Sequence, residues 1–231
     1  FYTAIEAAKI TLEHMIPVIL LSDGYIANGS EPWNIPNVDD IPKIKNNIID
    51  KNLDPEKYLP YAHNNKTLAR PWAIPGMEGF EHRIGGLEKS EGSGNVDYDP
   101  DNHEFMVKQR QEKVDIIADF IPKLKIFGKK TGDLLVVSWG GVFGSVKSAV
   151  KQAQDKNKSV SHIHIRHLNP LPKDLGECLV NFNKVLIPEL NNGQLLSIIR
   201  SRYLIDAKGY NKIGGKPFSS SEVFNKIMDI L

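Results

Sequence analysis

Cysteine is almost absent from this sequence, since Cys178 is the only one in 231 residues. One thiol cannot form an intramolecular disulfide, and it cannot supply the several sulfur ligands of an iron–sulfur cluster or a structural zinc site.

An excess of charge is also lacking, because the sequence contains 29 Lys and Arg residues and 28 Asp and Glu residues. This balance provides no general attraction to nucleic acid, so we expect no nucleic-acid partner.

Long apolar runs are missing as well. The longest, residues 15–21, contains Pro17 and is far shorter than the roughly 20 residues that span a bilayer. We therefore expect no membrane partner and a cytoplasmic location. The hydrophobic fraction of 41% and the charged fraction of 25% are typical of globular proteins and exclude general disorder.

The start of the chain combines a helical pattern with a strand-like run. Apolar residues recur at helical spacing at Ile5, Ala8, Leu12 and Met15, which predicts a helix over residues 2–15. Residues 18–22 then read as a strand buried on both faces. A helix that leads into such a strand is half of an α/β crossover unit, whose partner strands would precede it. We therefore expect Phe1 not to be the natural start. The alternative is a small domain whose first strand joins a later sheet.

Residues 31–130 have a different character. Eight of the fourteen prolines lie between Pro32 and Pro100, which excludes long helices there. The stretch is nevertheless rich in aromatic side chains, namely Trp33, Tyr58, Tyr61, Trp72 and Phe80. We interpret it as an ordered Pro/Gly-rich connection that packs against other surfaces and ends in a helix over residues 103–124.

Residues 131–231 alternate between strand-like and helix-like segments. Apolar runs predict strands at 134–138, 160–168 and 184–188. Helical periodicity follows at 142–154, 174–182, 194–205 and 221–231. This alternation predicts an α/β domain whose mostly parallel sheet has helices on both faces. Residues 206–218 cannot be assigned in this way.

Candidate site residues lie where these strands end, because open α/β sheets bind ligands outside the carboxyl ends of their strands. The candidates for a crevice or an interface are Asp23, Gly140, Gly141, Arg166, Glu189, Asn191 and Gly193. Each has a structural alternative: a tight strand-to-helix turn for the glycines and a cap or turn for Asp23 and Asn191. The stretch from Gly140 to Gly144 matches neither the dinucleotide fingerprint nor a P-loop.

His162 and His164 alternate with Arg166 on one face of the second predicted strand. An H-x-H pair on a strand can chelate a metal. No third ligand is evident, although His167 and Glu189 are candidates, so a polar sheet face or a subunit interface is the favoured interpretation. No nucleophile–base or paired-carboxylate arrangement with a persuasive context occurs. The residues alone therefore assign no catalytic group and no metal site.

Several stretches together resemble the alpha subunit of the 2-oxoacid:ferredoxin oxidoreductases, most of all the 2-oxoglutarate type. They are PVILLSDGYIANGSEPW (17–33), PGM with GFEH (75–82), YDPDNH (98–103), MV with RQEK (106–113), VVSWG (136–140), HIRHLNPLP (164–172) and VLIPELN with GQL (185–195). The resemblance covers nearly the whole chain, and the order of the motifs is more specific than any one of them.

This resemblance implies a domain organisation. Residues 1–30 would be the C-terminal end of a thiamine-type pyrimidine-binding domain, residues 31–130 the connection, and residues 131–231 a transketolase C-terminal-like domain. The family decarboxylates a 2-oxoacid oxidatively, transfers the acyl group to coenzyme A and passes electrons to ferredoxin. The acid that serves the thiamine ring and the substrate contacts have no match in this chain, so the resemblance assigns no catalytic residue here.

The resemblance also implies cofactors and partners. The full complex would contain thiamine diphosphate, Mg, an iron–sulfur cluster and coenzyme A, none of them bound by this chain alone. The partners would be a beta subunit with the pyrophosphate-binding domain and the cluster, a second alpha chain, and ferredoxin through the complex. We expect the isolated chain to be inactive and to serve in assembly.

The alternative function is a self-sufficient α/β module that binds an anion or a nucleotide at Gly140–Gly144 or near Gly193. Another thiamine enzyme with the same terminal domain is a weaker rival, since the connection argues against it.

Overall fold

The computed structural model describes residues 1–231, which form two compact units. The first unit contains Phe1–Leu20 and Trp33–Phe120, and the second contains Leu21–Pro32 and Ile121–Leu231. The predicted division into residues 1–30, 31–130 and 131–231 stays a prediction of domain organisation. No helix is long and apolar enough to cross a membrane.

The first unit begins with helix α1, Tyr2–His14, which confirms the predicted helix. Met15 ends it in the left-handed conformation with φ 52°, and Pro17 cannot continue it. The side chain of Asn47 donates to the carbonyl oxygens of Leu12 and Glu13 at 2.9 and 3.1 Å. Two of the carbonyl groups left open at the end of a helix are satisfied in this way.

The stretch between α1 and the next long helix is irregular. The second unit contributes the short helix α2, Gly24–Ala27, and the first unit has single 3₁₀ turns at Val38–Asp40 and Pro55–Lys57. Isolated bridges pair Ile48 with Trp72 and Tyr61 with Gly92.

Helix α3, Pro100–Ile116, differs in extent from the predicted 103–124. It starts earlier because the side chain of Asp99 accepts from two amides of the first turn and Pro100 takes a position where no donor is needed. It ends earlier, in a 3₁₀ turn at Ile117–Asp119, because Pro122 restricts the residue before it.

The predicted strand at residues 18–22 is wrong, because this segment has no regular structure. Ile19, Leu20 and Leu21 are 83%, 52% and 63% exposed. An apolar run becomes a strand only when another strand satisfies its backbone, and no strand of the chain pairs with this one. Its apolar side chains therefore lie in contact with solvent.

The second unit is built on a five-stranded sheet in the order β1-β3-β2-β4-β5. The strands are β1 Ile126–Phe127, β2 Gly132–Trp139, β3 Val160–Ile165, β4 Phe182–Glu189 and β5 Lys208–Asn211. Strands β2 to β5 run parallel, and β1 pairs antiparallel with β3. The mostly parallel α/β sheet is as predicted, but the short edge strands β1 and β5 are not, since two and four residues are too few to show a periodicity.

Helices cover both faces of this sheet. They are α4 Phe143–Asp155, α5 Leu175–Val180, α6 Gln194–Tyr203 and α7 Ser220–Ile230. Alternate residues of β2 separate two cores: Leu135 and Val137 pack with α5 and α6, whereas Leu134 and Val136 pack with α4 and α7. The carboxyl ends of β2 and β4 therefore lie side by side between two well-packed layers.

Candidate functional site

The best-defined polar arrangement lies where β4 ends. Glu189 is 1% exposed and accepts four hydrogen bonds. Two come from the backbone N–H groups of Leu195 and Leu196, each at 2.9 Å, and belong to the first turn of α6. The others come from Trp139 Nε1 at 3.2 Å and Asn191 Nδ2 at 3.0 Å. A buried carboxylate is tolerated because these donors and the positive end of the helix dipole compensate its charge.

Asn191 and Gly193 complete this turn. The side-chain oxygen of Asn191 accepts from the backbone N–H of Gly193 at 2.7 Å and of Gln194 at 3.3 Å. Gly193 has φ 91°, and a Cβ atom there would lie 2.7 Å from the side-chain nitrogen Nδ2 of Asn211. The amides at the start of α6 therefore already have partners inside the chain, so they are not available to an external anion.

Asp23 and Gly141 lie together in the second unit. The Asp23 carboxylate accepts from the backbone N–H of Ile26 at 3.0 Å and so caps α2. A Cβ atom at Gly141 would lie 2.0 Å from Asp23 Oδ2, whereas one at Gly140 would be 3.8 Å from the same oxygen. Gly140 has φ 63°, which favours glycine by itself. The glycine turn thus accommodates a carboxylate of its own chain.

Both histidines of the H-x-H pair lie within hydrogen-bond distance of one serine hydroxyl. Ser138 Oγ lies 2.7 Å from His162 Nε2 and 2.8 Å from His164 Nδ1. Because the hydroxyl has one proton, it donates to one ring and accepts from the other. Burial lowers the pKa of His162 to about 3, and the charges of His164 and Lys147 act in the same direction. Burial also lowers the pKa of His164 to about 4, and the charge of Arg166 contributes to this shift. Both rings are neutral at pH 7.

Arg166 is exposed and follows β3 directly. The structure thus brings together Glu189, Asn191 and Gly193, and separately Asp23 and Gly141. Sequence reasoning missed Trp139 as a partner of Glu189, and Ser138 as the partner of His162 and His164. The strand register contains the signal, because Ser138 pairs with His164 and therefore shares its face.

A second polar cluster, also missed, lies in the first unit. The Nδ1 atoms of His14 and His63 are buried without a hydrogen-bond partner. Burial lowers the pKa of both rings, to about 4 for His63, and the charge of Lys113 acts in the same direction on each. Burial and the charge of Arg70 lower the pKa of Lys113 itself to about 8. At pH 7 the two imidazoles are therefore neutral, whereas Lys113 remains largely protonated.

Neither glycine turn fits a diphosphate. At Gly141 the neighbouring group is the Asp23 carboxylate, which repels an anion, and at Gly193 the amides already serve Glu189 and Asn191. No group of three or more His, Cys, Asp or Glu residues could hold a metal ion. The two glycine turns therefore do not supply a site for the diphosphate of thiamine diphosphate.

Two family models match the chain. Residues 1–98 match the thiamine diphosphate-binding region of the pyruvate flavodoxin/ferredoxin oxidoreductases, and residues 132–223 match core domain II of pyruvate:ferredoxin oxidoreductase. The chain belongs to the 2-oxoacid:ferredoxin oxidoreductase family. This confirms the resemblance and, with the observed sheet, the α/β fold class.

Relatives with assigned functions agree with this placement. The chain is 46% identical over 225 residues to the 2-oxoglutarate oxidoreductase subunit KorA of Mycobacterium tuberculosis, covering 96% of this chain and 34% of that protein. It is 26% identical over 231 residues to the 2-oxoglutarate synthase subunit KorA of Methanothermobacter marburgensis, covering 99% and 60%.

A solved structure agrees as well. The 2-oxoglutarate:ferredoxin oxidoreductase of Magnetococcus marinus, with 2-oxoglutarate, coenzyme A and succinyl-CoA bound, superposes with a TM-score of 0.88 at 28% identity. The superposition covers 96% of this chain and 38% of that one. The chain thus spans roughly a third of the length of two of these proteins and 60% of the third.

Proposed function

We propose that this chain is part of the alpha subunit of a thiamine diphosphate-dependent 2-oxoglutarate:ferredoxin oxidoreductase. The reaction breaks the bond between the keto carbon and the carboxylate of the 2-oxoacid and releases CO₂. The acyl group forms a thioester with the sulfur of coenzyme A, the thiol proton is released, and two electrons reach ferredoxin. Thiamine diphosphate supplies the electron sink for the decarboxylation when it is bound. The relatives named for 2-oxoglutarate support this substrate.

The role of the present residues within that enzyme is assembly. The observation that supports it is the exposed apolar segment 18–21, formed by a strand-like sequence that has no strand partner in the chain. Exposed contiguous apolar surface of this kind marks a protein interface. The polar groups at the carboxyl edge of the sheet serve each other, as the four donors to Glu189 show.

The remaining components belong to the complex. We place Mg and an iron–sulfur cluster on a beta subunit with the pyrophosphate-binding domain, and a second alpha chain and ferredoxin complete the partners. This chain has one thiol, the buried Cys178, whereas an iron–sulfur cluster needs several cysteine ligands, which supports the placement of the cluster on another polypeptide. A free thiol also suits the reducing cytoplasm, where we place the enzyme.

The experiment compares the isolated chain with the complex. The purified 231-residue chain should show no 2-oxoglutarate-dependent dye reduction, and an added beta subunit should not restore it, because we place the substrate contacts in other parts of the alpha subunit. The full alpha subunit with its beta subunit is the positive control. Turnover by the isolated chain would contradict the assembly role.

The alternative of a self-sufficient anion-binding module is less well supported by the geometry. Both turns that it requires are occupied by carboxylate or amide side chains of the chain itself. Calorimetric titrations with ATP, NAD and coenzyme A should therefore give no heat of binding, whereas saturable binding of any of them would revive the module.

A further inference from the structure

A groove of about 760 Å³ lies at the end of the sheet opposite to Glu189. Its lining includes the first residues of β4, namely Phe182, Asn183, Lys184 and Val185, and the chain just before and at the start of β5. Much of its lining is apolar: Leu179, Ile205 and Ile230 contribute to it together with Phe182 and Val185. No residue of the groove takes part in the arrangements at Glu189, Asp23 or Ser138, so the groove is a separate feature.

One edge of β4 is open along this groove. Residues 182–186 of β4 pair with β2 on one side. On the other side, pairing with β5 begins only at Leu186, which lies opposite Lys208. Residues 182–185 therefore have a strand neighbour on one side only, and an unpaired strand edge is a template for another extended segment.

The charged residues that line the groove indicate which kind of segment it would bind. Three lysines line the groove, Lys184, Lys208 and Lys226, against the single carboxylate of Asp206. Asp206 is already paired, at 2.6 Å from Lys208 and 3.8 Å from Arg200. The rim thus has an excess of positive charge beside the apolar lining, and complementary charge favours carboxylates in an occupant.

Exposed apolar side chains border the same groove. Val180 lines it and is 70% exposed, and Leu204, next to the lining residue Ile205, is 89% exposed. In an added strand, every second side chain would point towards the groove and bury this apolar surface. The side chains between them would point outward, towards the lysines.

We propose that this groove binds an extended, acidic segment of a partner polypeptide, which adds as a strand to the open edge of β4 at residues 182–185. Main-chain hydrogen bonds to β4 would hold the segment, the apolar lining would receive alternate side chains, and the lysines would fix carboxylates at the rim. This interface does not depend on the redox activity, so it can fail or succeed independently of the proposed function.

The test uses the full protein in its native complex. The photoreactive amino acid benzoylphenylalanine replaces Val180, and irradiation is followed by mass spectrometry of the cross-linked peptides. The expected product is a single partner segment that contains acidic residues among strand-forming ones. The same amino acid at Val38, which is 77% exposed in the other unit, is the control and should not capture that segment.

Charge variants and hydrogen exchange complete the experiment. The double variant Lys208→Glu with Lys226→Glu should lower the cross-link yield by about tenfold, whereas Lys208→Arg with Lys226→Arg should preserve it. Amides of residues 182–185 should exchange more slowly in the complex than in the separated chain. A missing cross-link, a helical or non-acidic segment, a segment of the same polypeptide, or a yield that charge reversal leaves unchanged would each overturn the proposal.

Discussion

The carboxylate of Glu189 accepts a 2.9 Å hydrogen bond from the backbone N–H of Leu195, and so joins the end of β4 to the start of α6. This contact is the centre of a buried network in which every donor comes from the chain itself. At this sheet edge, where α/β proteins bind ligands, the polar groups around Glu189 therefore have partners inside the chain. The assignment of Glu189, Asn191 and Gly193 to a crevice or an interface stays a prediction.

Removing the charge of Glu189 should be costly. In Glu189→Gln the side-chain oxygen can still accept, but the new NH₂ group must face at least one N–H donor from which it cannot accept, and the buried charge is lost, so we expect the free energy of unfolding to fall by about 2–4 kcal/mol. Denaturant titration, followed by tryptophan fluorescence, measures it. Glu177→Gln is the control, since Glu177 is exposed on α5 and should change stability by less than about 0.5 kcal/mol. Equal effects of both variants would refute the role of Glu189.

Gly141→Ala tests the contact with Asp23. The new Cβ atom would displace the Asp23 carboxylate, and α2 would lose its cap, at a cost of about 1 kcal/mol. In an Asp23→Ala background the clash is absent, so the same substitution should cost much less. A double-mutant cycle from thermal unfolding measures this coupling, and strict additivity would disprove it.

Gly144→Ala is the matched control for that cycle. Gly144 lies in α4, and a Cβ atom there has no heavy atom within 4 Å. The substitution should stabilise the protein by about 0.5–1 kcal/mol through helix propensity. A loss of stability would show that α4 packs differently.

Acid should destabilise the protein through its buried histidines. The folded pKa is about 3 for His162 and about 4 for His164 and His63, below the ordinary 6.5. The unfolded chain therefore binds more protons between these values, and the stabilisation present above pH 6.5 is lost as pH falls. For His162 alone the loss is about 3 kcal/mol by pH 4.

The variant His162→Gln isolates this contribution. Its side chain can still contact Ser138 but does not titrate, so the dependence of stability on pH between 6.5 and 4 should decrease by close to one proton. Denaturant titrations at several pH values measure the slope. His103→Gln, at an exposed ring, is the comparison. An unchanged slope in His162→Gln would mean that His162 titrates normally.

The cap of α7 offers a further check on the second unit. Ser219 Oγ accepts from the backbone N–H of Glu222, and Glu222 in turn accepts from the Ser219 N–H at 2.8 Å, a reciprocal capping box. Ser219→Ala should lower the free energy of unfolding by about 1 kcal/mol in thermal or denaturant unfolding. The neighbouring Ser221→Ala should have a smaller effect, and the opposite order would contradict the assigned start of the helix.

The helices and the three central strands could be predicted because burial on one or both faces imposes a period on the sequence. The run at 18–22 has the same signal, but periodicity reports only what a segment could bury and does not supply the partner strand. β5 was missed because Lys208–Asn211 is short, polar and at an edge. Periodicity cannot identify such strands.

The candidate site illustrates a different limit. Glu189, Asn191 and Gly193 could be found from their position after a strand, since strand ends converge at one edge. Their chemical role could not, because it depends on whether donors such as Trp139 Nε1 and the Leu196 amide are already engaged. That information lies in contacts between residues distant in sequence, 50 positions apart for Trp139 and Glu189.

The proposed function can be tested by measuring reduction of ferredoxin by the complex isolated anaerobically with the full alpha subunit. We predict reduction that requires both 2-oxoglutarate and coenzyme A and yields succinyl-CoA with one CO₂ per turnover. An intact complex that reduces ferredoxin with no 2-oxoacid, or that lacks an iron–sulfur partner, would contradict the proposed function.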